Sequence, residues 1–227
     1  MNRLQNKVAI VTGANSGIGL RTAQLFAEEG AILVLCARRK EKLDEVAEAL
    51  RAQGSQVLSI AADVSREEDC VRVVEEAVKA FGRVDVLVNN AGMADKHRPI
   101  TRCDGDWWHT VIDVNQNSVY YMMKAALKYM ELAGYGSIVN IASIGATRYN
   151  SGVAYTASKT AVIGMSKNVA IQFAGKGIRV NVVCPGPTLG TDLMANTLSS
   201  DPGEEQALKE HVIPMGKLGT AQDVAQA

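Results

Sequence analysis

Short apolar runs alternate with longer helical stretches along most of this 227-residue chain. Each run is apolar at nearly every position, which is typical of strands buried on both faces of a parallel sheet. The stretches between the runs have the length and periodicity of helices. This alternation predicts an α/β fold with a doubly wound parallel sheet in three layers, α/β/α, and a ligand site at the carboxyl ends of the strands.

The predicted strands lie at 8–11, 32–35, 57–60, 84–88, 137–142 and 178–183. The predicted helices lie at 17–29, 40–53, 66–81, 114–133 and 153–175, and a last one begins at a Thr cap near 220. Ser65 and Glu68 predict a capping box for the third helix. Because the sequence stops soon after the last helix begins, we expect residues 1–227 to form a single domain that is truncated at its C-terminus and lacks a strand.

The charges are balanced, with 24 Lys and Arg against 24 Asp and Glu, so no overall field favours a nucleic acid or a membrane surface as a partner. No apolar run is long enough to cross a bilayer, and the first strand begins too early to leave room for a signal peptide. The four cysteines lack Cys-x-x-Cys spacing and the three histidines lie far apart, which predicts reduced thiols, no metal site and a cytoplasmic location.

A glycine-rich turn follows the first predicted strand, and residues 12–19 read TGANSGIG. Glycines allow a tight turn and the close approach of a pyrophosphate, while the first amides of the next helix face the anion. The spacing Gly-x-x-x-Gly-x-Gly departs from the general dinucleotide fingerprint, and such a turn occurs without a ligand as well. Its position directly after a strand favours nucleotide binding.

The second predicted strand runs into Ala37, Arg38, Arg39 and Lys40, with no acid before Glu41. An NAD site commonly has a carboxylate here for the ribose 2′-hydroxyl, whereas a 2′-phosphate calls for arginine. A solvated helix start is the alternative, but cations at a helix N-terminus oppose its dipole. The pattern favours NADP(H) over NAD(H).

Ser143 lies at the end of a predicted strand, and Tyr155 and Lys159 follow on a helix. Residues four apart share a helix face, so the Lys159 ammonium is expected beside the Tyr155 phenol. A neighbouring positive charge favours the phenolate, which predicts a lowered pKa for Tyr155. An exposed Tyr-x-x-x-Lys pair is common by itself; together with the two preceding features it indicates a catalytic site.

These residues resemble the motifs of the short-chain dehydrogenase/reductase family, in its compact single-domain branch. The matching motifs, in order along nearly the whole chain, are TGANSGIG (12–19), DV (63–64), NNAG (89–92), Asn115, Ser143, YTASK (155–159) and CPGP (184–187). The resemblance implies a Rossmann-like, dinucleotide-binding catalytic domain. The activity it implies is hydride transfer between a nicotinamide cofactor and a small-molecule carbonyl or alcohol substrate.

The resemblance assigns catalysis to Asn115, Ser143, Tyr155 and Lys159. Tyr155 would be the general acid/base, Ser143 would bind the reacting oxygen, Lys159 would bind ribose and tune Tyr155, and Asn115 would anchor a proton-relay water. It assigns cofactor binding to Gly13, Asn15, Ser16, Gly17, Ile18, Gly19, Arg38, Arg39, Asp63, Val64, Asn90, Ala91, Gly92, Tyr155, Lys159 and Thr188. Thr188 would meet the carboxamide, and one extra residue before Thr191 leaves that threonine without a role.

The predicted truncation keeps a second function open, namely a catalytically weak or inactive nucleotide-binding relative. The substrate class also stays open, between a sugar, a steroid, a small alcohol and an acyl thioester. Residues 93–99 and 188–215 are expected to shape the substrate pocket, the second range as a mobile lid. Trp107 and Trp108 are expected to be packing anchors rather than substrate platforms.

The sequence also predicts a homodimer. Helix 114–133 is apolar on nearly all sides, and residues 153–165 are mostly small, so both can pack closely against a second copy. The lost strand is expected to weaken any tetramer.

Overall fold

A parallel sheet forms the centre of the protein in the computed structural model, which describes residues 2–148, 151–195, 213 and 215–227. Its strands are β1 (Val8–Thr12), β2 (Ile32–Ala37), β3 (Val57–Ala61), β4 (Val86–Asn89), β5 (Gly136–Ile141) and β6 (Ile178–Val183). Their order is β3-β2-β1-β4-β5-β6, so the chain reverses its direction of travel between β1 and β4. Within the described residues the sheet has six strands, with β3 at one edge and β6 at the other.

The helices are α1 (Gly17–Glu28), α2 (Lys40–Ala52), α3 (Glu67–Phe81), α4 (Gly105–Ile112), α5 (Ser118–Ala133), α6 (Gly145–Arg148), α7 (Val153–Phe173), α8 (Asp192–Ala195) and α9 (Ala221–Gln226). Alternate strand residues face opposite helical layers. Leu33 and Leu35 pack in one core with α1 and α2, whereas Ile10 and Val34 pack in a second core with α3, α5 and α7. The predicted α/β/α architecture is therefore confirmed.

The helix predicted at 114–133 begins earlier than expected. Asp104 caps α4, because its carboxylate accepts the backbone N–H of Trp107 at 2.8 Å. The helical path continues through a π turn at Asp113–Asn117 into α5. The prediction missed α4 because the apolar pattern of 114–133 was stronger than the signal of a single capping aspartate.

The capping box predicted for Ser65 and Glu68 is wrong. The helix α3 begins at Glu67, and its flanking residue Arg66 makes no side-chain cap. The Ser65 hydroxyl instead donates to the Asp63 carboxylate at 2.8 Å, and Asp69 accepts the Asp63 backbone N–H at 2.9 Å. The Ser65 hydroxyl is therefore bound to the Asp63 carboxylate and does not cap the helix.

The C-terminal residues pack on the first helix. β7 (Thr188–Leu189) pairs with β8 (Gly219–Thr220) in a second, two-stranded sheet. Thr220 then caps α9, as expected, in a capping box with Asp223. α9 lies against α1, where Arg21 donates to Gln222. No helix in the described ranges is both long and apolar enough to cross a membrane.

Candidate active site

A cleft of about 900 Å³ opens at the carboxyl ends of the strands. It spans the point between β1 and β4 where the sheet order reverses, which is where doubly wound folds bind ligands. The predicted site residues that line it are Gly13, Asn15, Ser16, Gly17, Ile18, Arg38, Arg39, Asp63, Val64, Asn90, Ala91, Gly92, Ser143, Tyr155, Lys159 and Thr188. Gly19 and Asn115 lie behind the wall of the cleft and are both buried.

The glycine-rich turn has the geometry that its residue types predict. Gly13 and Gly17 adopt φ values of 67° and 53°, in the left-handed region that favours glycine. Gly19 is needed for packing, because a Cβ there would lie 2.3 Å from the carbonyl oxygen of Gly13. Ser16 precedes α1 without capping it through its side chain, so the first amides of α1 remain available to an anion.

Asn90 supports this turn from the neighbouring strand. Its Nδ2 donates to the carbonyl oxygens of Thr12 at 2.9 Å and Gly13 at 3.3 Å. The Thr12 hydroxyl in turn accepts the backbone N–H groups of Asn90 and Ala91, each at 3.0 Å. The ends of β1 and β4 are thus tied together beneath the cleft.

The three cations after β2 lie in different surroundings. Arg38 and Arg39 are exposed and line the cleft, while Ala37, the last residue of β2, is buried. Lys40 forms an ion pair with Asp44 on α2. Of these three cations only the two arginines therefore line the cleft, as Asp63 and Val64 also do.

Ser143, Tyr155 and Lys159 meet at the other end of the cleft. Ser143 follows β5 and its hydroxyl accepts the backbone N–H of Gly145 at 3.0 Å. The Ser143 side chain lies close enough to the Tyr155 hydroxyl to act on its pKa, and both residues line the cleft. Lys159 lies one helical turn beyond Tyr155, with Nζ 5.8 Å from the centre of the phenol ring. The expected grouping of these three side chains is present.

The expected fall in the pKa of Tyr155 is not observed. Burial of the phenol raises its pKa; the nearby Ser143 side chain opposes this rise, and the charge of Asp95 adds to it. Lys159 is itself buried, and its Nζ donates to the carbonyl oxygen of Ile141 at 2.8 Å. Burial lowers the pKa of Lys159 to about 8, so this lysine carries its charge less readily than an exposed one.

Asn115 lies in the π turn between α4 and α5 and is fully buried. Its Oδ1 accepts the Met93 backbone N–H at 2.8 Å, and its Nδ2 donates to the Met93 carbonyl at 3.0 Å and to Ser158 Oγ at 3.3 Å. A Cβ at Gly92 would lie 3.2 Å from Asn115 Oδ1 and 3.3 Å from Lys159 Nζ. The Asn115 side chain therefore holds the segment after β4 close to Lys159.

Thr188 and Thr191 both line the cleft after β6. The hydroxyl of Thr188 donates to the Gly186 carbonyl at 2.9 Å, and that of Thr191 donates to the Thr188 carbonyl at 3.0 Å. A Cβ at Gly17 would lie 3.3 Å from Thr191 Cγ2, so this segment rests on the glycine-rich turn. Of the expected lid at 188–215, residues 196–212 and 214 lie outside the described residues.

Two cleft residues carried no motif in the sequence. Asp95 is buried, and Asp192 forms an ion pair with Arg39, which also lines the cleft. Trp107 is half-buried, and its Nε1 donates to the Asp95 carbonyl at 3.2 Å. It also lines the cleft, so it both packs as an anchor and forms part of the pocket wall. Only Asp104, a capping residue three positions before Trp107, was a local signal for this placement.

Comparisons with known proteins agree with this geometry. The family model described as short chain dehydrogenase matches residues 7–202. The chain is 39% identical to cis-4-hydroxycyclohexanecarboxylate dehydrogenase of Sinomonas cyclohexanicum, over 97% of this chain and 87% of the relative. It is 37% identical to 7alpha-hydroxysteroid dehydrogenase of Clostridium sardiniense, over 100% and 86%.

A solved structure of NAD+-bound xylitol dehydrogenase superposes with a TM-score of 0.90 at 31% identity, covering 99% of this chain and 91% of that one. Fold, cleft and family model lead to one assignment. The chain belongs to the short-chain dehydrogenase/reductase family and is an oxidoreductase that acts on CH–OH groups with a nicotinamide cofactor.

Proposed function

We propose that this protein is an NADP(H)-dependent oxidoreductase that interconverts a secondary alcohol and a ketone, with Tyr155 as the general acid/base. The grouping of Ser143, Tyr155 and Lys159 inside the cleft, with Lys159 Nζ 5.8 Å from the centre of the Tyr155 ring, carries this proposal. The cleft also fits a dinucleotide. Its glycine turn brings backbone to the surface, its α1 amides are uncapped, and two arginines face the adenosine side.

The bound nicotinamide would supply or accept the hydride. In the direction of reduction, the Ser143 hydroxyl donates a hydrogen bond to the carbonyl oxygen on which negative charge develops. Tyr155 then gives its phenolic proton to that oxygen, and in oxidation it takes the proton back. The raised pKa of Tyr155 keeps the phenol protonated before reduction. Lys159 Nζ, held by the Ile141 carbonyl, remains close enough to favour the phenolate that follows.

The choice of NADP(H) rests on the end of β2. Ala37 presents no carboxylate that would repel a 2′-phosphate, and Arg38 and Arg39 offer two guanidinium groups on the same edge of the cleft. Charge-assisted hydrogen bonds of roughly 1.5–3 kcal/mol each correspond to a preference of at least about tenfold for NADP(H).

The substrate that the cleft suits best is a secondary alcohol on a carbocycle. Met93, Trp107, Val114 and Ile144 form an apolar lining next to Ser143 and Tyr155. The dehydrogenases of Sinomonas cyclohexanicum and Clostridium sardiniense act, by their names, on hydroxyl groups of ring systems. An apolar wall beside two polar catalytic groups fits a ring that presents one hydroxyl.

Turnover tests this function directly. We expect oxidation of cyclohexanol derivatives and hydroxysteroids with NADP⁺, and reduction of the matching ketones with NADPH, at higher kcat/KM than for xylitol or an acyl thioester. Each substrate is assayed with both cofactors. Cofactor binding without turnover on any substrate would contradict the proposal and favour the inactive nucleotide-binding alternative.

We also propose a homodimer that works in the cytoplasm. Tyr120 on α5 and Gly164 on α7 are exposed, and a Cβ at Gly164 would meet nothing within 4 Å, so α7 can approach a second copy closely. The free, dispersed cysteines suit a reducing compartment. Sedimentation at micromolar concentration is expected to show a dimer, and a stable monomer there would contradict the assembly.

A further inference from the structure

Asp95 is a buried carboxylate in the segment that follows β4, and only 2% of its surface is exposed. Its Oδ2 accepts the backbone N–H of Tyr155 at 2.9 Å. Its Oδ1 accepts the backbone N–H of His97 at 3.1 Å. The carboxylate therefore joins the helix that carries Tyr155 to a loop of the cleft wall.

The catalytic helix needs an acceptor from outside its own sequence. α7 begins after Gly152, which has no side chain to cap the first amides. Tyr155 is the third residue of α7, the position whose N–H a capping side chain normally receives. A Cβ at residue 152 would lie 2.3 Å from Asp95 Oδ2, so the glycine makes room for this carboxylate.

The other contacts of Asp95 hold the loop on the substrate side of the cleft. Its carbonyl oxygen accepts from Trp107 Nε1 at 3.2 Å and from the Arg98 backbone N–H at 3.4 Å. The next two residues, Lys96 and His97, have φ values of 57° and 52°, a conformation uncommon for residues other than glycine. Such a loop persists only where the surrounding structure fixes its conformation. Here the side-chain carboxylate and the backbone carbonyl of Asp95 both help to fix it.

We propose that Asp95 is a positioning residue that fixes the start of α7, and with it the reacting phenol of Tyr155, and whose negative charge favours the protonated phenol. This inference rests on the proposed role of Tyr155. A buried anion bonded to the backbone of Tyr155 suits the reductive direction, in which the phenol must hold its proton until charge develops on the substrate oxygen.

The charges around Tyr155 define what Asp95 can change. Burial is the main cause of the raised pKa of Tyr155, the nearby Ser143 side chain opposes this rise, and Asp95 adds to it. Lys159 faces the ring from α7 itself, and Lys96 and His97 line the cleft from the loop after β4. Cys184, in the segment after β6, raises the pKa of Lys159 and so opposes the effect of burial. Of these, only Asp95 combines a negative charge with a hydrogen bond to the backbone of Tyr155.

The test compares Asp95→Asn and Asp95→Ser with Asp104→Asn as the matched control. Both changes at Asp95 keep an acceptor for the Tyr155 N–H and remove the charge. Asp104 caps α4 in the same way but is exposed and holds no residue of α7. In alcohol oxidation kcat rises with pH as the Tyr155 base loses its proton. This rise is expected about one pH unit lower in both Asp95 variants and unmoved in Asp104→Asn.

Asp95→Ala removes the acceptor as well, and we expect kcat to fall at least about fivefold beyond Asp95→Asn with KM changed less than twofold. An unshifted pH profile in both charge-removing variants would overturn the proposal, as would an equal shift in Asp104→Asn. A merely structural cap would lower the thermal midpoint of the Asp95 variants and leave the profile where it was.

A readout independent of turnover separates this inference from the proposed function. The ring carbon signal of Tyr155, assigned by its loss in Tyr155→Phe, reports ionisation of the phenol by NMR in the cofactor-free protein. A titration at lower pH in Asp95→Asn supports the role of Asp95 even where turnover fails. An unchanged titration overturns it even where the enzyme is active.

Discussion

The guanidinium of Arg39 lies 2.8 Å from the carboxylate of Asp192, and both residues line the cleft. The same Asp192 oxygen accepts from the Ser16 hydroxyl at 3.2 Å. Arg39 lowers the pKa of Asp192, which is therefore charged at neutral pH. The Asp192 carboxylate thus binds Arg39 and Ser16, two residues that the resemblance assigns to cofactor binding.

Asp192→Asn is expected to tighten NADP(H) binding about three- to tenfold, because it removes a competitor for Arg39 and a charge that repels phosphate. The effect is modest because the pair is exposed. NAD(H), which has no 2′-phosphate, should gain less. Fluorescence titration of both reduced cofactors measures this. Asp44→Asn is the control, since Asp44 pairs with Lys40, which does not line the cleft. Equal gains for both cofactors would contradict the prediction.

Ala37→Asp combined with Arg38→Ser is expected to reverse the cofactor preference. The new carboxylate would accept the ribose 2′-hydroxyl of NAD(H) and repel the 2′-phosphate, which also loses one cation. The ratio of kcat/KM for the two cofactors should shift at least about a hundredfold. Arg66→Ser removes an exposed arginine that pairs with Glu68 and should leave the ratio unchanged. A parent enzyme that uses both cofactors equally would refute the assignment at once.

Tyr155→Phe is expected to lower kcat by about 10²–10⁴, because the ring stays and the transferable proton is lost. Cofactor affinity should change little, since Lys159 and the glycine-rich turn are untouched. Steady-state kinetics and cofactor titration measure the two effects. Tyr135→Phe, at a partly exposed ring that packs near Lys7, should keep the parent rate. A Tyr155→Phe enzyme with more than about a tenth of the parent kcat would rule out the proposed mechanism.

Lys159 makes stability depend on pH in the cofactor-free protein. The folded state releases its proton near pH 8, whereas the unfolded chain holds it to about 10.5. The unfolded state therefore binds more protons in this window, and stability rises with pH there. We expect the difference in urea midpoint, parent minus Lys159→Met, to increase from pH 7.5 to pH 9.5.

Two buried thiols affect stability in the opposite sense, but their effect cancels in the difference between the two urea midpoints. Burial raises the pKa of the Cys36 and Cys70 thiols to about 12, which costs stability at alkaline pH in both proteins equally. A difference in urea midpoint that stays flat or falls over the window would show that Lys159 is not buried as an easily deprotonated amine.

Much of the fold could be predicted because its signals are local. A strand buried on both faces must be apolar throughout, so β1, β2 and β6 lie within a residue or two of their predicted positions. The glycines at 13 and 17 have the positive φ that their turn suggested. Tyr155 and Lys159 share a helix face because residues four apart always do so. The start of α4 escaped prediction, since a lone aspartate is a weak signal beside a long apolar helix.

The sequence by itself therefore determined the sheet, the glycine turn and which side chains are brought together in the cleft. The tertiary structure decided what surrounds those side chains. Asp95 meets Tyr155 across 60 positions of the chain, and Asp192 meets Ser16 across 176. Neither aspartate has a spacing or periodicity that marks it. Burial, too, depends on every element packed around a group. For that reason the pKa of Tyr155 rises, although Lys159, four residues on along the helix, predicted a fall.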